Sequence, residues 1–147
     1  MRAAVEPFSA ALPELLVLGR TAWAEVGLLD LPYDPDTAGY LDLERAGLLL
    51  FVGLRERGAL VGYLSGFLRR HLHSKGCLTL YGDMVYVRPE ARGRFGFRRL
   101  LRAAEAECKR RGVVVKMFGS TALNPQIGQL LELHGYRATE TIYAKGR

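Results

Sequence analysis

The stretch richest in chemistry is VYVRPEARGRFGFRRLL, Val85 to Leu101. A β-branched run stops at Pro89, a loop of Gly and Arg follows, and an amphipathic helical pattern begins at once. Such a junction suits an anion, because a helix N-terminus carries unpaired N–H groups and a partial positive charge. Gly93 and Gly96 would let the backbone approach a phosphate closely, and Arg92, Arg94, Arg98 and Arg99 would add charge-assisted donors. The plainer alternative is an ordinary glycine turn before a helix. Neither the dinucleotide fingerprint G-x-G-x-x-G nor the Gly-Lys-Ser/Thr of a P-loop occurs.

The charge distribution points to the same segment. The chain of 147 residues carries 21 Lys+Arg and 15 Asp+Glu, a net charge of +6. Nine basic residues and only Glu90, Glu105 and Glu107 lie between Arg88 and Arg111, so this segment holds the whole excess. A local excess fits a local anionic partner such as a phosphate; a solvated helix face accounts for it equally well.

Other reactive residue types are sparse. His71 and His73 form an H-x-H that puts both rings on one face of an extended segment, where they could hold a metal, relay protons or face water. Two histidines without a third ligand argue against a metal, and no metal is expected. The two cysteines, Cys77 and Cys108, lack zinc spacing and are too few for a disulfide scaffold. Cys108 and Trp23 read as core. Cys77 has no base beside it in sequence. No apolar run approaches the roughly 20 residues of a membrane span, and no targeting signal is read at the N-terminus. The expectation is one cytoplasmic domain over residues 1–147.

The elements that must position these residues follow from periodicity. The first third reads helical, with Pro13 at a first helical position and Leu15, Leu16, Trp23 and Val26 at helical spacing. A second short helix starts after Asp34 or Asp36 and ends at Gly47. Segments 48–54, 59–68 and 77–87 then read as three strands of an antiparallel meander, with Thr79, Tyr81, Asp83, Val85 and Val87 on one face of the third. Phe97, Leu100, Leu101, Ala104 and Cys108 mark a helix ending at Gly112, and 113–119 reads as a buried strand parallel to the third. Asn124–Pro125 is a cap and first turn, Gly135 ends that helix, and 136–145 alternates as a final strand. The class is α+β with a mixed sheet.

With these motifs in place the chain resembles the GNAT superfamily of N-acetyltransferases. Val87-Arg88-Pro89-Glu90-Ala91-Arg92-Gly93 matches the family's V-x-P-x-x-R-G strand end. Arg98-Arg99-Leu100-Leu101 matches its helix start, and Asn124 through Gly135-Tyr136 its downstream signature. The resemblance spans essentially the whole chain and is strongest over 68–145, which is similar to small bacterial and phage members. Three positions depart from the pattern: Phe95 and Phe97 stand where the loop usually has glycine, and Leu131 where the last helix often has a tyrosine acid.

The resemblance implies a mixed, mostly antiparallel sheet with flanking helices and a central parallel pair. It also implies transfer of an acetyl group from acetyl-CoA, a cosubstrate, to a primary amine by direct attack. The pyrophosphate would sit on Arg92, Gly93, Arg94, Phe95, Gly96, Phe97 and Arg98; the pantetheine arm would bond the backbone of Val85 and Val87 and meet Asn124. The amine must be neutral to attack, and Asp83 is the candidate base, with Tyr81 or His73 as relays. Asp83 as a structural carboxylate and Tyr81 as a half-buried strand aromatic are the competing readings. Two other functions compete: a non-catalytic acyl-CoA or protein-interaction module on the same fold, and, ranked last, a nucleic-acid binder stacking bases on Phe95 and Phe97. The acceptor's identity and assembly as a homodimer are left open.

Overall fold

The computed structural model describes residues 1–26, 31–121 and 124–145. The elements run β1 (Arg2–Val5), α1 (Phe8–Val26), α2 (Thr37–Arg45), β2 (Leu49–Glu56), β3 (Ala59–Arg70), β4 (Leu78–Val87), a 3-10 turn (Pro89–Ala91), α3 (Gly96–Arg110), β5 (Val113–Met117) and α4 (Gln126–Glu132). They form one five-stranded sheet in chain order. All neighbours are antiparallel except β4 and β5, which are parallel.

Each face of the sheet buries its own core. Leu50, Val52, Leu54, Leu64, Leu68, Leu80 and Val87 pack on Leu100, Ala104 and Cys108 of α3. Leu49, Phe51, Leu60, Tyr63 and Tyr86 pack on Phe8, Ala11, Leu15, Leu18 and Ala22 of α1. The alternation along β2 therefore divides its side chains between the two layers. The β2–β3 turn is made by Arg57 and Gly58, both at positive φ, the conformation a two-residue hairpin requires.

Four expectations are corrected. Residues 2–5, within the third that the periodicity assigns to helix, form a strand, β1, antiparallel to β2. Pro13 lies in the second turn of α1 rather than at its start. The helix begins at Phe8 because the Glu44 carboxylate of α2 accepts the N–H groups of Phe8 and Ser9, and because Phe8 stacks on Tyr40 with centroids 5.1 Å apart. The amide that Pro13 cannot donate is lost on an exposed face, where water can serve the carbonyl. Residues 136–145 form no strand: Ile142 and Tyr143 are 84% and 91% exposed, so the alternation has no layer to cover it. Finally, β4 does not alternate throughout. Ser65 pairs with Met84 and Gly66 with Gly82, so Asp83 is an extra residue without a partner on β3. This bulge reverses the facing of everything beyond it. Tyr81 shares a face with Phe67, whereas Val85 and Val87 lie on the α3 side.

Candidate active site

The strand–loop–helix junction opens on a cavity of about 770 Å³. Its wall includes Val85 and Val87 of β4, Arg92, Gly93, Phe95, Gly96, Phe97 and Arg98 of the loop and α3, and Asn124 ahead of α4. Glu25 of α1 and Ile127, Leu130 and His134 complete it on the far side. The cavity exists because β4 and β5 part: their pairing ends at Tyr81 and Met117, and β4 runs six residues further with an open edge. The Arg88 N–H donates to Val61 O on β3. Alternation then turns the N–H and C=O groups of Val85 and Val87 toward the open edge.

The loop presents donors to this space. Phe95 is the residue before α3 and makes no side-chain cap, so the first amides of the helix keep their hydrogen-bonding capacity. Phe95 itself adopts the left-handed conformation, φ 61°, that a glycine takes more readily. Gly93 is also left-handed, and a Cβ there would touch nothing. Gly96 differs: a Cβ would lie 2.9 Å from Leu54 Cδ2 and 3.3 Å from Val87 Cγ1, so its smallness serves the packing of α3 on the sheet.

The arginines divide. Arg92 is committed to the protein, with Nε donating to Val87 O at 2.8 Å and Nη2 to Glu25 Oε2 at 2.6 Å. It thereby occupies one of the open-edge carbonyls of β4. Arg94 is paired with Glu56 and does not line the cavity. Arg98 lines it and makes no ion pair among the described residues. Asn124 does not cap α4; Ser120 Oγ instead accepts from Gly128 N at 3.1 Å. His134 Nδ1 lies 2.8 Å from Leu130 O, which makes Nδ1 the protonated nitrogen and leaves Nε2 as the other hydrogen-bonding position of the ring.

A second cavity, of about 280 Å³, lies on the α1–α2 side of the sheet. Consecutive residues of β4 divide the two spaces: Asp83 and Met84 line this one, and Val85, Tyr86 and Val87 the first. Asp83 Oδ2 accepts two hydroxyls at 2.8 Å each, from Tyr40 of α2 and Ser65 of β3. Burial first, and then the neighbouring Asp83 carboxylate, raises the Tyr40 phenol far above its ordinary range, so it stays a donor. The bulge aims Asp83 here, and it therefore does not share a face with Val85 as alternation alone had suggested. Trp23, expected in the core, is half-buried in this wall and donates Nε1 to Leu31 O at 2.8 Å.

Other expected residues are not brought to either space. Tyr81 lies beneath the Arg69 guanidinium, 4.0 Å from it, and lines neither cavity. His73 sits in the exposed turn before β4, its ring 6.0 Å from that of His71, and also lines neither. Cys77 contacts Ser74 in that turn, and Cys108 is buried. Among the described residues no group of three or more His, Cys, Asp or Glu could hold a metal, and no helix is long and apolar enough to cross a membrane. Tyr40 and Ser65 were missed by sequence reasoning, since nothing local marks residues 43 and 18 positions from Asp83 as its partners.

The family model described as Acetyltransferase (GNAT) family matches residues 18–136. The chain belongs to this family. It is a GNAT N-acetyltransferase that uses acetyl-CoA as its acetyl donor and an amine as acceptor. The fold agrees with solved relatives. The ribosomal-protein-alanine N-acetyltransferase from Brucella melitensis biovar Abortus 2308 superposes with a TM-score of 0.77 at 16% identity, with all of both chains covered. AAC(6')-Iy in complex with the bisubstrate analog CoA-S-monomethyl-acetylneamine gives 0.75 at 19% identity, over 100% of this chain and 99% of that one. An acetyltransferase from Trypanosoma brucei gives 0.76 at 19%, over 99% of both. No curated protein matches the chain in sequence. Within this GNAT enzyme Leu131, at the position where the family often has a tyrosine, is 6% exposed and carries no proton to give.

Proposed function

We propose that the larger cavity holds acetyl-CoA, that the smaller one holds the amine, and that acetyl transfer takes place across β4 between them. The observation that carries this reading is the division of the two spaces by consecutive residues Asp83, Met84 and Val85. The pyrophosphate lies against the uncapped start of α3, with Arg98 as its cation and Gly93 giving close backbone approach. The pantetheine arm bonds the open edge of β4 at Val85 and the Val87 N–H, and reaches Asn124. Arg92 holds the loop in place rather than the phosphate, because Val87 O and Glu25 already take its donors.

The thioester carbonyl accepts the Val85 N–H, which receives the developing negative charge. Asp83 takes a proton from the acceptor ammonium through Oδ1, its other oxygen being held by Tyr40 and Ser65. The neutral nitrogen then attacks the carbonyl carbon, the C–N bond forms, the C–S bond breaks, and the nitrogen's remaining extra proton passes to water. CoA departs as a thiolate of ordinary thiol acidity, about 8.5, so no acid at Leu131 is required in the same step. The reading extends to a cytoplasmic enzyme with one domain over residues 1–147 and no nucleic-acid partner. In support of the last, Arg92, Arg94, Arg110 and Arg111 of the basic segment are already paired with carboxylates.

The test is acetyl-CoA binding by calorimetry, together with thioester consumption against a panel of amines. Arg98→Ala weakens binding by about 1 kcal/mol and flattens its salt dependence. Arg94→Ala, outside the cavity, leaves binding unchanged. Equal effects of the two substitutions would remove the phosphate from this junction.

A further inference from the structure

The smaller cavity has a negative lining in a basic protein. Asp34, Asp36 and Asp83 contribute to its wall, and among the described residues no lysine, arginine or histidine does, although the chain has 21 Lys+Arg. The body of the wall is aromatic, with Trp23, Tyr33 and Tyr63 prominent. Carboxylates among aromatic faces favour an organic cation, by direct attraction and by the ring quadrupoles.

The three carboxylates are not equivalent. Asp83 Oδ2 is taken by Tyr40 and Ser65, and Asp36 Oδ1 accepts the Gly39 N–H at 2.9 Å to cap α2. Asp34 makes no hydrogen bond or ion pair among the described residues. It is nevertheless held in position, by the Asp36 cap that follows it and by two contacts of the segment that leads to it. Trp23 Nε1 donates to Leu31 O at 2.8 Å. The Tyr33 hydroxyl lies 2.3 Å from where a Cβ on Gly19 would stand, a seat only glycine leaves open. Independently of the acids, Tyr63 lines the cavity, is 6% exposed, and its hydroxyl has no partner among the described residues. The residue is buried but its hydroxyl oxygen is still accessible, so it is available to whatever occupies the cavity.

The reacting nitrogen must be neutral when it attacks, so it is not the charge that this lining holds through the reaction. A positive charge that persists has to sit elsewhere on the acceptor. We infer that the acceptor is a small molecule with two amino groups: one reacts at Asp83, and the other stays an ammonium at Asp34. The Tyr63 hydroxyl is a further polar contact, and the aromatic wall covers the carbon chain between the two nitrogens. This inference rests on the acceptor assignment proposed above.

Trp23 is the only tryptophan and lines the cavity, so its fluorescence reports occupancy without any turnover. Straight-chain diamines of increasing length are titrated against the wild-type protein at low salt, each beside the monoamine of the same length. One diamine length binds about fivefold or more tightly than its monoamine, the worth of one partly exposed ion pair. Asp34→Asn abolishes that preference, bringing the diamine down to the affinity of its monoamine. Tyr63→Phe weakens the diamine severalfold, with melting temperature measured alongside to establish that the variant is folded. Equal binding of diamines and monoamines, a preference independent of chain length, or a preference that survives Asp34→Asn would each overturn the inference. If acetyl-CoA is turned over equally well with both classes, the inference fails while the acetyl-transfer reading stands. If no amine is acetylated, that reading fails, and the tryptophan titration still decides what the cavity binds.

Discussion

In the proposed reaction Asp83 depends on two neighbours that hold one of its oxygens, while the other accepts no hydrogen bond among the described residues. Tyr40 and Ser65 both donate to Oδ2, so the carboxylate is aimed before any amine arrives. Asp83→Asn keeps the shape and loses the base, and the expected result is a fall in kcat of roughly 100-fold with acetyl-CoA affinity within a few fold. Steady-state rates and calorimetric binding on the same preparations check it; near-normal turnover in a folded variant would remove Asp83 from the chemistry. Tyr40 and Ser65 are positioning residues. Tyr40→Phe keeps the stack on Phe8 and deletes only the hydroxyl, so its effect is smaller, about tenfold. Because the Tyr40 phenol is held protonated far above its ordinary range, its titration contributes nothing to the alkaline side of the rate profile. The Tyr40→Phe and wild-type profiles should therefore run parallel up to pH 10, and a divergence there would show that the phenol loses its proton.

Elements carry what single residues cannot, and here the sequence was informative unevenly. The amphipathic period of α3, the meander and the parallel pair are legible because each depends on patterns within one segment. The start of α1 is not, because it is fixed by Glu44, 36 residues from Phe8. The bulge at Asp83 is not, because a one-residue slip against β3 leaves no mark on β4 itself. The pocket-lining part of the loop was legible as composition, yet its two glycines look alike in sequence and differ in the fold. Gly93 sits at φ +71° with open space around it. Gly93→Ala costs about 1 kcal/mol from backbone strain alone. Gly96→Ala forces a methyl against Leu54 and Val87 and costs about 1–3 kcal/mol by overpacking. Denaturant midpoints distinguish the two: adding Leu54→Ala should recover part of the Gly96→Ala deficit, relative to Leu54→Ala alone, and none of the Gly93→Ala deficit. Recovery of both would mean the glycines act by the same crowding.

Across the whole molecule charge is distributed unevenly: Arg98 and the Glu25-paired Arg92 line the proposed cofactor cavity, three aspartates the proposed acceptor cavity, and Glu107 gathers two arginines at the end of α3. Glu107 accepts from Arg110 and Arg111, and Arg111 also donates to Gly47 O at 3.3 Å, ahead of β2. The hydrogen bond from Arg110, helped by Arg111 and opposed by burial, brings the Glu107 carboxyl down from the ordinary 4.5 to about 2. A depressed carboxyl stabilises the fold wherever the unfolded chain would also be ionised, which means above about pH 4.5. As pH falls from there toward 2 the unfolded chain takes up a proton that the folded one refuses, so this contribution shrinks, and below about 2 it is gone. Glu107→Gln removes the linkage without removing the side chain's length. The melting temperature of the variant should lie below that of the wild type by a constant amount between pH 6 and 8. That gap should narrow steadily from pH 4.5 to 2, because only the wild type has the stabilisation to lose. Thermal unfolding of both proteins over this range measures the gap, and a gap that stays constant through the acid limb would mean that Glu107 acts by packing or neutral hydrogen bonding rather than by its charge.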